Sequence, residues 1–350
     1  MRALTFHDVG DVHCETVPDP ELRGDDEAIV RVTRTAICGS DLHVYRGGET
    51  GLDAGTILGH EFVGEIVELG PAVQGLSQGD LVVSPFSTSC GACFYCTNEL
   101  PSRCEKGELY GWVEQGEGLH GAQAELVRVP LASSTLVRVP DDLDPGLALL
   151  TGDVLATGTF CAELAGVGPG MTVAVLGCGP VGLLAVLASC RRQADRVLAV
   201  DDVPERLALA ERFGAEPVDR SAVDPIEHAQ GLTAGRGVDA VLECVGSEGA
   251  TRLGVDLVRP GGTLAAVGVH VEAGFAFSPG EAYDKNLTYR AGRCPARRHV
   301  EQLLPVVRER ADDLRALLTH ELPLSDGVGA YEMFDQRRDG CIKVMLDPDA

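Results

Sequence analysis

Lysine is nearly absent from this 350-residue chain: among 29 basic residues only Lys106, Lys285 and Lys343 are lysines, a bias that GC-rich coding, heat or salt adaptation would each produce. Positive charge is scarce altogether. Against 53 acidic residues it leaves a formal charge of −24, which repels a polyanion over its whole approach, so no nucleic-acid partner is expected. No uninterrupted apolar stretch approaches the ~20 residues that span a bilayer, and the richest run, Val181 to Cys190, reads as a buried helix. Membrane association is therefore not expected. The segment from Met1 to Phe6 meets the His7-Asp8 pair before an apolar run develops, so the expectation is no secretory signal and a cytoplasmic protein. Internal repeats, low-complexity tracts and long linkers are also missing, and nothing asks for disorder.

What is present points to two domains, because 350 residues exceed what one compact core usually holds and an apolar content of 45% supplies material for two. From Glu27 to about Val139, short runs such as Ala28-Ile29-Val30-Arg31-Val32 and Glu61 to Val67 are separated by Gly, Pro and Asp turns. This is how antiparallel strands read. After Pro140 the pattern becomes βα: a strand at Thr172 to Leu176, a helix from Pro180 to about Arg192, a strand at Arg196 to Val200 and a helix at Pro204 to Phe213. Strands at Val238 to Leu242 and Thr263 to Val267 continue it, which implies parallel strands with crossover helices. Helical runs at Arg297 to Arg310 and Tyr331 to Arg337, then a strand-like Ile342 to Leu346, form a tail able to fold back on the first part.

Gly177-Cys178-Gly179-Pro180-Val181-Gly182 follows a predicted strand and opens a predicted helix, and Asp201 stands 19 residues beyond Gly182 at the end of the next strand. This is a dinucleotide-binding fingerprint in its proper context. Gly177 permits the tight turn, Gly179 lets the backbone approach a pyrophosphate, and Gly182 lets the helix pack closely on its strand. Asp201 can accept from both ribose hydroxyls and would repel a 2′-phosphate, and no arginine follows Asp201 and Asp202 directly, so NAD is favoured over NADP. Arg206 is placed either across the adenine ribose or towards solvent.

Twelve cysteines in a cytosolic chain suggest metal binding before disulfides. Cys90, Cys93, Cys96 and Cys104, spaced C-x2-C-x2-C-x7-C, offer a closed four-thiolate shell of the kind that holds structural zinc. Cys38 and His60 begin a second, open set, for which the third ligand is Glu61 or Asp153 on the residues alone. Three ligands leave a position for chemistry. The other seven, Cys14, Cys161, Cys178, Cys190, Cys244, Cys294 and Cys341, read as small core residues.

Cys38-Gly39-Ser40-Asp41-Leu42-His43, Gly59-His60-Glu61, the four-cysteine lobe and Gly177 to Gly182 occur in an order that resembles the zinc-dependent medium-chain alcohol dehydrogenases over essentially the whole chain. The resemblance implies an α/β protein: a GroES-like β-barrel catalytic domain over 1–152 with 294–350 returning to it, a Rossmann doubly wound parallel sheet over 153–293, and an active site in the cleft between them. It implies Asp153 as third ligand of the catalytic zinc, as in the secondary-alcohol and formaldehyde-dehydrogenase-like branch, with Glu61 the neighbouring carboxylate that approaches the metal during exchange. Ser40 and His43 match the family's proton relay. Thr157 falls beside the nicotinamide, the backbone of Val267-Gly268-Val269 meets the carboxamide, Gly292-Arg293 closes over the cofactor, and Trp112 stands where relatives have an aromatic pocket wall. The implied protein is a homo-oligomer, tetramer or dimer, with two zinc ions per chain. It would oxidise small primary or secondary alcohols with NAD to aldehydes or ketones. A polyol or L-threonine dehydrogenase, a formaldehyde dehydrogenase and a silent NAD-binding sensor are the alternatives.

Overall fold

The computed structural model describes all 350 residues, and the chain divides into two units, Met1–Ala156 with Pro295–Ala350, and Thr157–Cys294. The division falls inside the helix Val154–Leu164 rather than ahead of Asp153, so that Asp153 belongs to the first unit.

The first unit is built on one mixed sheet in the order Val137–Arg138, Leu81–Ser84, Glu61–Leu69, Glu27–Ile37, Val344–Asp347, His320–Pro323, with Leu126–Pro130 also paired to Glu27–Ile37. Its central strand alternates in the manner of a sheet with one face on a core: Ala28, Val30 and Val32 join Phe62, Ile66, Val82, Tyr110, Val127 and Val129 in one buried cluster. Register shifts between Ile29 and Val30 and between Val32 and Arg34 bend this strand against Glu61–Leu69, which is how a sheet acquires barrel curvature. The C-terminal tail does return. Ile37 lies opposite Val344, and Ala36 opposite Glu61, so the ends of three neighbouring strands meet at one edge. A smaller sheet orders Asp11–Thr16, Arg2–Asp8 and Thr56–Ile57.

The second unit holds six parallel strands ordered Glu216–Asp219, Arg196–Asp201, Thr172–Leu176, Val238–Glu243, Val258–Ala266, Thr288–Ala291. Counted along the chain this is 3-2-1-4-5-6, the doubly wound Rossmann order, with its reversal between Thr172–Leu176 and Val238–Glu243. The central strands read as apolar runs because both faces are covered: Val173 to Leu176 and Ala240 to Leu242 are buried throughout. No single helix is long and apolar enough to cross a membrane.

Candidate active site and metal centres

Cys38 follows directly on the strand Glu27–Ile37, His60 directly precedes Glu61–Leu69, and Asp153 follows the 3-10 turn Leu150–Gly152. The fold thus brings together three side chains that are remote in sequence. Cys38 Sγ lies 3.2 Å from Asp153 Oδ2, His60 Nε2 lies 3.4 Å from the same oxygen, and one donor atom from each of Cys38, His60, Glu61 and Asp153 falls within 4.8 Å of the others. In a zinc tetrahedron with ordinary bond lengths, neighbouring sulfur, nitrogen and oxygen donors stand about 3.3–3.6 Å apart. The donor set fits that ion in both chemistry and spacing. Glu61 Oε2 is buried with no hydrogen-bond partner, an orphaned acceptor beside the set that a cation would satisfy.

Asp41 orients this set, and the sequence reading passed over it although it lies inside the quoted Cys38 motif. Its Oδ1 lies 3.2 Å from His60 Nδ1, while Oδ2 accepts the Cys38 N–H at 2.9 Å and the Gln123 amide at 3.3 Å. Gln123 accepts in turn from the Tyr331 hydroxyl at 2.8 Å, and both are fully buried. A carboxylate at Nδ1 selects the tautomer that leaves Nε2 as the free donor, the usual support for a metal-binding histidine. Gly59 permits the approach: it has φ +87°, and a Cβ there would stand 2.4 Å from Gln123 Cγ.

Without a cation this pocket holds protons. Burial, and then the Asp153 charge, push the Cys38 thiol up to about 11. On His60 burial works against the charged form, but the Asp41 and Asp153 carboxylates prevail and raise the imidazole well above its ordinary value. Burial opposes ionisation of Asp153 as well, yet the His60 bond and charge hold it down at about 2. A metal bound here would displace the Cys38 proton and any proton carried by His60, so protons compete with it. At fixed free zinc, occupancy of this set is expected to fall as pH drops from 8 to 6, with apparent affinity losing about one decade per pH unit to the Cys38 thiol and more wherever His60 is also protonated. Equilibrium dialysis with metal analysis checks this, and a flat profile would contradict the proton inventory.

Lys343 completes the base of the site and was also missed, although it is one of three lysines. Its ammonium is fully buried, donates to Ile37 O at 3.0 Å and makes an ion pair with Glu61 Oε1. Burial pushes the Glu61 carboxyl up and the lysine charge opposes it; on Lys343 the Glu61 charge overrides burial and keeps the ammonium protonated. Glu61 is thus tethered through Oε1, while its buried Oε2 has no hydrogen-bond partner.

The four cysteines of the lobe converge separately. All are free thiols, one sulfur from each lies within 4.8 Å of the rest, and Cys93 Sγ to Cys104 Sγ is 3.9 Å. Zinc–sulfur bonds in a tetrahedron give a sulfur separation of about 3.8 Å. Backbone N–H groups of Cys90 and Lys106 point at Cys104 Sγ, and that of Cys93 at Cys90 Sγ. Similar backbone donors hold the Cys93 thiol down at about 6. The turn Phe94–Thr97 buries none of its residues, so the lobe has little core of its own and its sulfurs are what could hold it.

In the second unit the fingerprint glycines differ in their surroundings. Gly177 has φ +82°, a Cβ on Gly182 would collide with Gly177 O at 1.7 Å, and a Cβ on Gly179 would meet nothing within 4 Å. Turn, close packing and open approach are the three properties a pyrophosphate loop needs. Pro180 and Val181 open the helix Pro180–Arg191, whose N-cap Gly179 supplies no side-chain acceptor, leaving its first N–H groups to a ligand. Asp201 ends its strand as expected; its carboxylate accepts from the N–H groups of Cys178, Asp202 and Val203, and Arg206 Nη1 lies 3.9 Å from it. Arg206 thus turns to Asp201 rather than to solvent. Val267, Gly268 and Val269 leave the strand Val258–Ala266 and pack on Gly246, where a Cβ on Gly268 would stand 2.1 Å from Gly246 N. Glu243, absent from the sequence reading, fixes that corner through the N–H groups of Val245 and Gly246.

Of the remaining expected residues, Ser40 Oγ lies 3.4 Å from His60 Nε2, at the ligand set. His43 is half-buried on the short helix Asp41–Tyr45, and burial holds its imidazole below the ordinary value. Trp112 starts the strand Trp112–Glu114 and packs partly buried against the cluster that contains Leu4, Phe6, Ile37 and Leu58. Thr157 and Arg293 lie at the two ends of the second unit's stretch of chain, Thr157 buried and Arg293 exposed.

A β-rich unit with one open and one closed set of soft metal ligands, in the same chain as a Rossmann sheet with a dinucleotide loop, defines a metal- and nicotinamide-dependent oxidoreductase. Family models agree: residues 24–141 match the alcohol dehydrogenase GroES-like domain and residues 180–309 the zinc-binding dehydrogenase domain. The chain belongs to the zinc-dependent medium-chain alcohol dehydrogenase family. It is 42% identical over 345 residues to zinc-type alcohol dehydrogenase B of Aspergillus flavus, covering 96% of this chain and 79% of that one. The solved structure of alcohol dehydrogenase TADH from Thermus sp. ATN1 superposes with a TM-score of 0.92 at 37% identity, covering 99% of each chain. A zinc-binding dehydrogenase from Sinorhizobium meliloti, solved with NADP, matches at a TM-score of 0.84 and 27% identity over 99% of each chain.

Proposed function

We propose that this oxidoreductase oxidises small primary or secondary alcohols to aldehydes or ketones, reversibly and with NAD, and carries two zinc ions per chain. Cys38, His60 and Asp153 would hold the catalytic ion, with Glu61 as the carboxylate in reserve, and Cys90, Cys93, Cys96 and Cys104 the structural one. The observation that carries the reading is the contrast between a buried three-ligand set with a hydroxyl, Ser40 Oγ, 3.4 Å from its histidine and a four-sulfur set that is complete in itself. When bound, zinc supplies Lewis-acid polarisation of a hydroxyl oxygen, and nicotinamide supplies a hydride acceptor.

The rest is done by side chains. Ser40 Oγ accepts the alcohol proton, and His43, neutral at pH 7 because burial lowers its imidazole, passes it on. Asp41 keeps His60 in one tautomer, and the Lys343 tether sets how far Glu61 can advance. Thr157, Val267, Gly268, Val269 and Arg293 would line the nicotinamide end, and Trp112 would wall the substrate. Asp201 supports NAD: its carboxylate is held by three backbone N–H groups where a 2′-phosphate would have to sit. Arg206 beside Asp201, and the NADP in the Sinorhizobium relative, make the cofactor a direct object of the test.

The experiment is reduction of NAD and of NADP by the zinc-loaded protein with ethanol, 2-butanol, benzyl alcohol, sorbitol, threonine and formaldehyde. Turnover of the simple alcohols with NAD is expected. Turnover confined to sorbitol or threonine would move the reading to a polyol or L-threonine dehydrogenase, and turnover confined to formaldehyde would move it to a formaldehyde dehydrogenase. Faster turnover with NADP would overturn the role of Asp201. A homo-oligomer, dimer or tetramer, is the accompanying proposal, and light scattering tests it.

A further inference from the structure

The N-terminal hairpin carries a third cluster of ligating groups that shares no residue with either cysteine-containing set. Arg2–Asp8 pairs antiparallel with Asp11–Thr16 so that Thr5 stands opposite His13 and Ala3 opposite Glu15, and side chains two apart on a strand share a face. His7 joins Thr5 on one strand; Asp11, His13 and Glu15 alternate along the other. The register shift between Phe6 and Asp8 lies next to His7, and the His7 and His13 rings stack with centroids 4.1 Å apart at an interplanar angle of 27°. Glu15 Oε1 lies 2.8 Å from His7 Nε2 and accepts from the buried Thr5 hydroxyl at 2.5 Å. One donor atom from each of His7, His13 and Glu15 falls within 4.8 Å of the others.

We propose that His7, His13 and Glu15 form a surface site for a borderline divalent cation of the Zn²⁺, Ni²⁺ or Cu²⁺ type. Two imidazoles and one carboxylate match that class, whereas Mg²⁺ and Ca²⁺ require oxygen ligands throughout. The cation would take the place of the His7–Glu15 hydrogen bond, and because a metal lies in the plane of each imidazole that binds it, one of the two stacked rings turns out of the stack to meet it. Supporting groups are already in place: the Thr5 hydroxyl fixes the Glu15 carboxylate, and Asp11 Oδ1 lies 2.9 Å from His13 Nε2, an arrangement that orients a ligating imidazole. The side chains are 32% (His7), 50% (His13) and 40% (Glu15) exposed, so a cation enters from solvent without opening the fold. A net charge of −24 raises the local cation concentration. Because its ligands come from both strands, an occupied site clamps the hairpin and stabilises the folded chain by mass action.

Nickel titration of the zinc-loaded protein by calorimetry tests the site, with zinc content measured before and after. One nickel ion per chain is expected to bind without release of zinc and to raise the melting temperature. His7→Ala and His13→Ala should each weaken binding at least tenfold and abolish the thermal shift, while Glu15→Gln should weaken it less. The proposal fails if the wild-type protein takes up no nickel at millimolar concentration. It fails equally if both histidine variants bind nickel like the wild type, or if uptake occurs only with loss of zinc, since the ion would then sit elsewhere.

Discussion

Asp153→Asn is expected to leave the protein folded with about one zinc ion per chain and to lower kcat about a thousandfold. The amide has the carboxylate's shape but not its charge. In the proposed ligand set the Cys38 thiolate and the Asp153 carboxylate would together balance a divalent cation, and Asp153 Oδ2 lies 3.2 Å from Cys38 Sγ and 3.4 Å from His60 Nε2. Losing it would remove half of that compensation and one of the three proposed ligands, in a buried setting where charge is only weakly screened. Cys93→Ser is the matching control: it should also lower zinc content to about one ion, but by loosening the exposed lobe, so its first symptom is a lower melting temperature. Elemental analysis with steady-state kinetics distinguishes the two. An Asp153→Asn enzyme that keeps both ions and full turnover would refute the ligand assignment.

Lys343→Met should be the most damaging single substitution for stability, at about 3–5 kcal/mol, because it leaves a buried carboxylate without its counter-charge. Both partners are fully buried, Glu61 Oε2 already lacks a protein donor, and Ile37 O would lose the lysine as well. The penalty belongs to the uncompensated charge and not to the pair. Adding Glu61→Gln to Lys343→Met should therefore recover more than half of the loss in urea denaturation. If the double variant is as unstable as the single one, the ion pair is incidental and the cost lies in the volume lost around residue 343.

Much of this was legible in the chain because the relevant interactions are local. The four-cysteine spacing needs one loop, and Gly177 to Gly182 with Asp201 needs one βαβ unit, so both survive as patterns without knowledge of the fold. The helix expected from Pro180 to Arg192 runs Pro180–Arg191, and that expected from Arg297 to Arg310 runs Ala296–Glu309 with Pro305 inside it. The strand expected at Ile342 to Leu346 is Val344–Asp347, because the N–H groups of Ile342 and Lys343 donate to Thr319 Oγ1 before the ladder begins. The helix expected from Tyr331 starts earlier, as Gly327–Asp335.

Charge sign, domain class, the sulfur-rich lobe and the nucleotide loop followed from composition and short spacings, since each depends on neighbours along the chain. Glu61 and Asp153 were candidates for the open ligand set on the residues, but the supports of that set, Asp41 and Lys343, and the way its members meet were not legible. Asp41 reaches His60 across a separation of 19, Lys343 reaches Glu61 across 282, and Asp153 reaches Cys38 across 115. The first two encounters exist because the ends of Glu27–Ile37, Glu61–Leu69 and Val344–Asp347 are hydrogen-bonded side by side, and the third because the turn Leu150–Gly152 delivers Asp153 to Cys38; pairing of distant segments has no local signature in the residues that it joins.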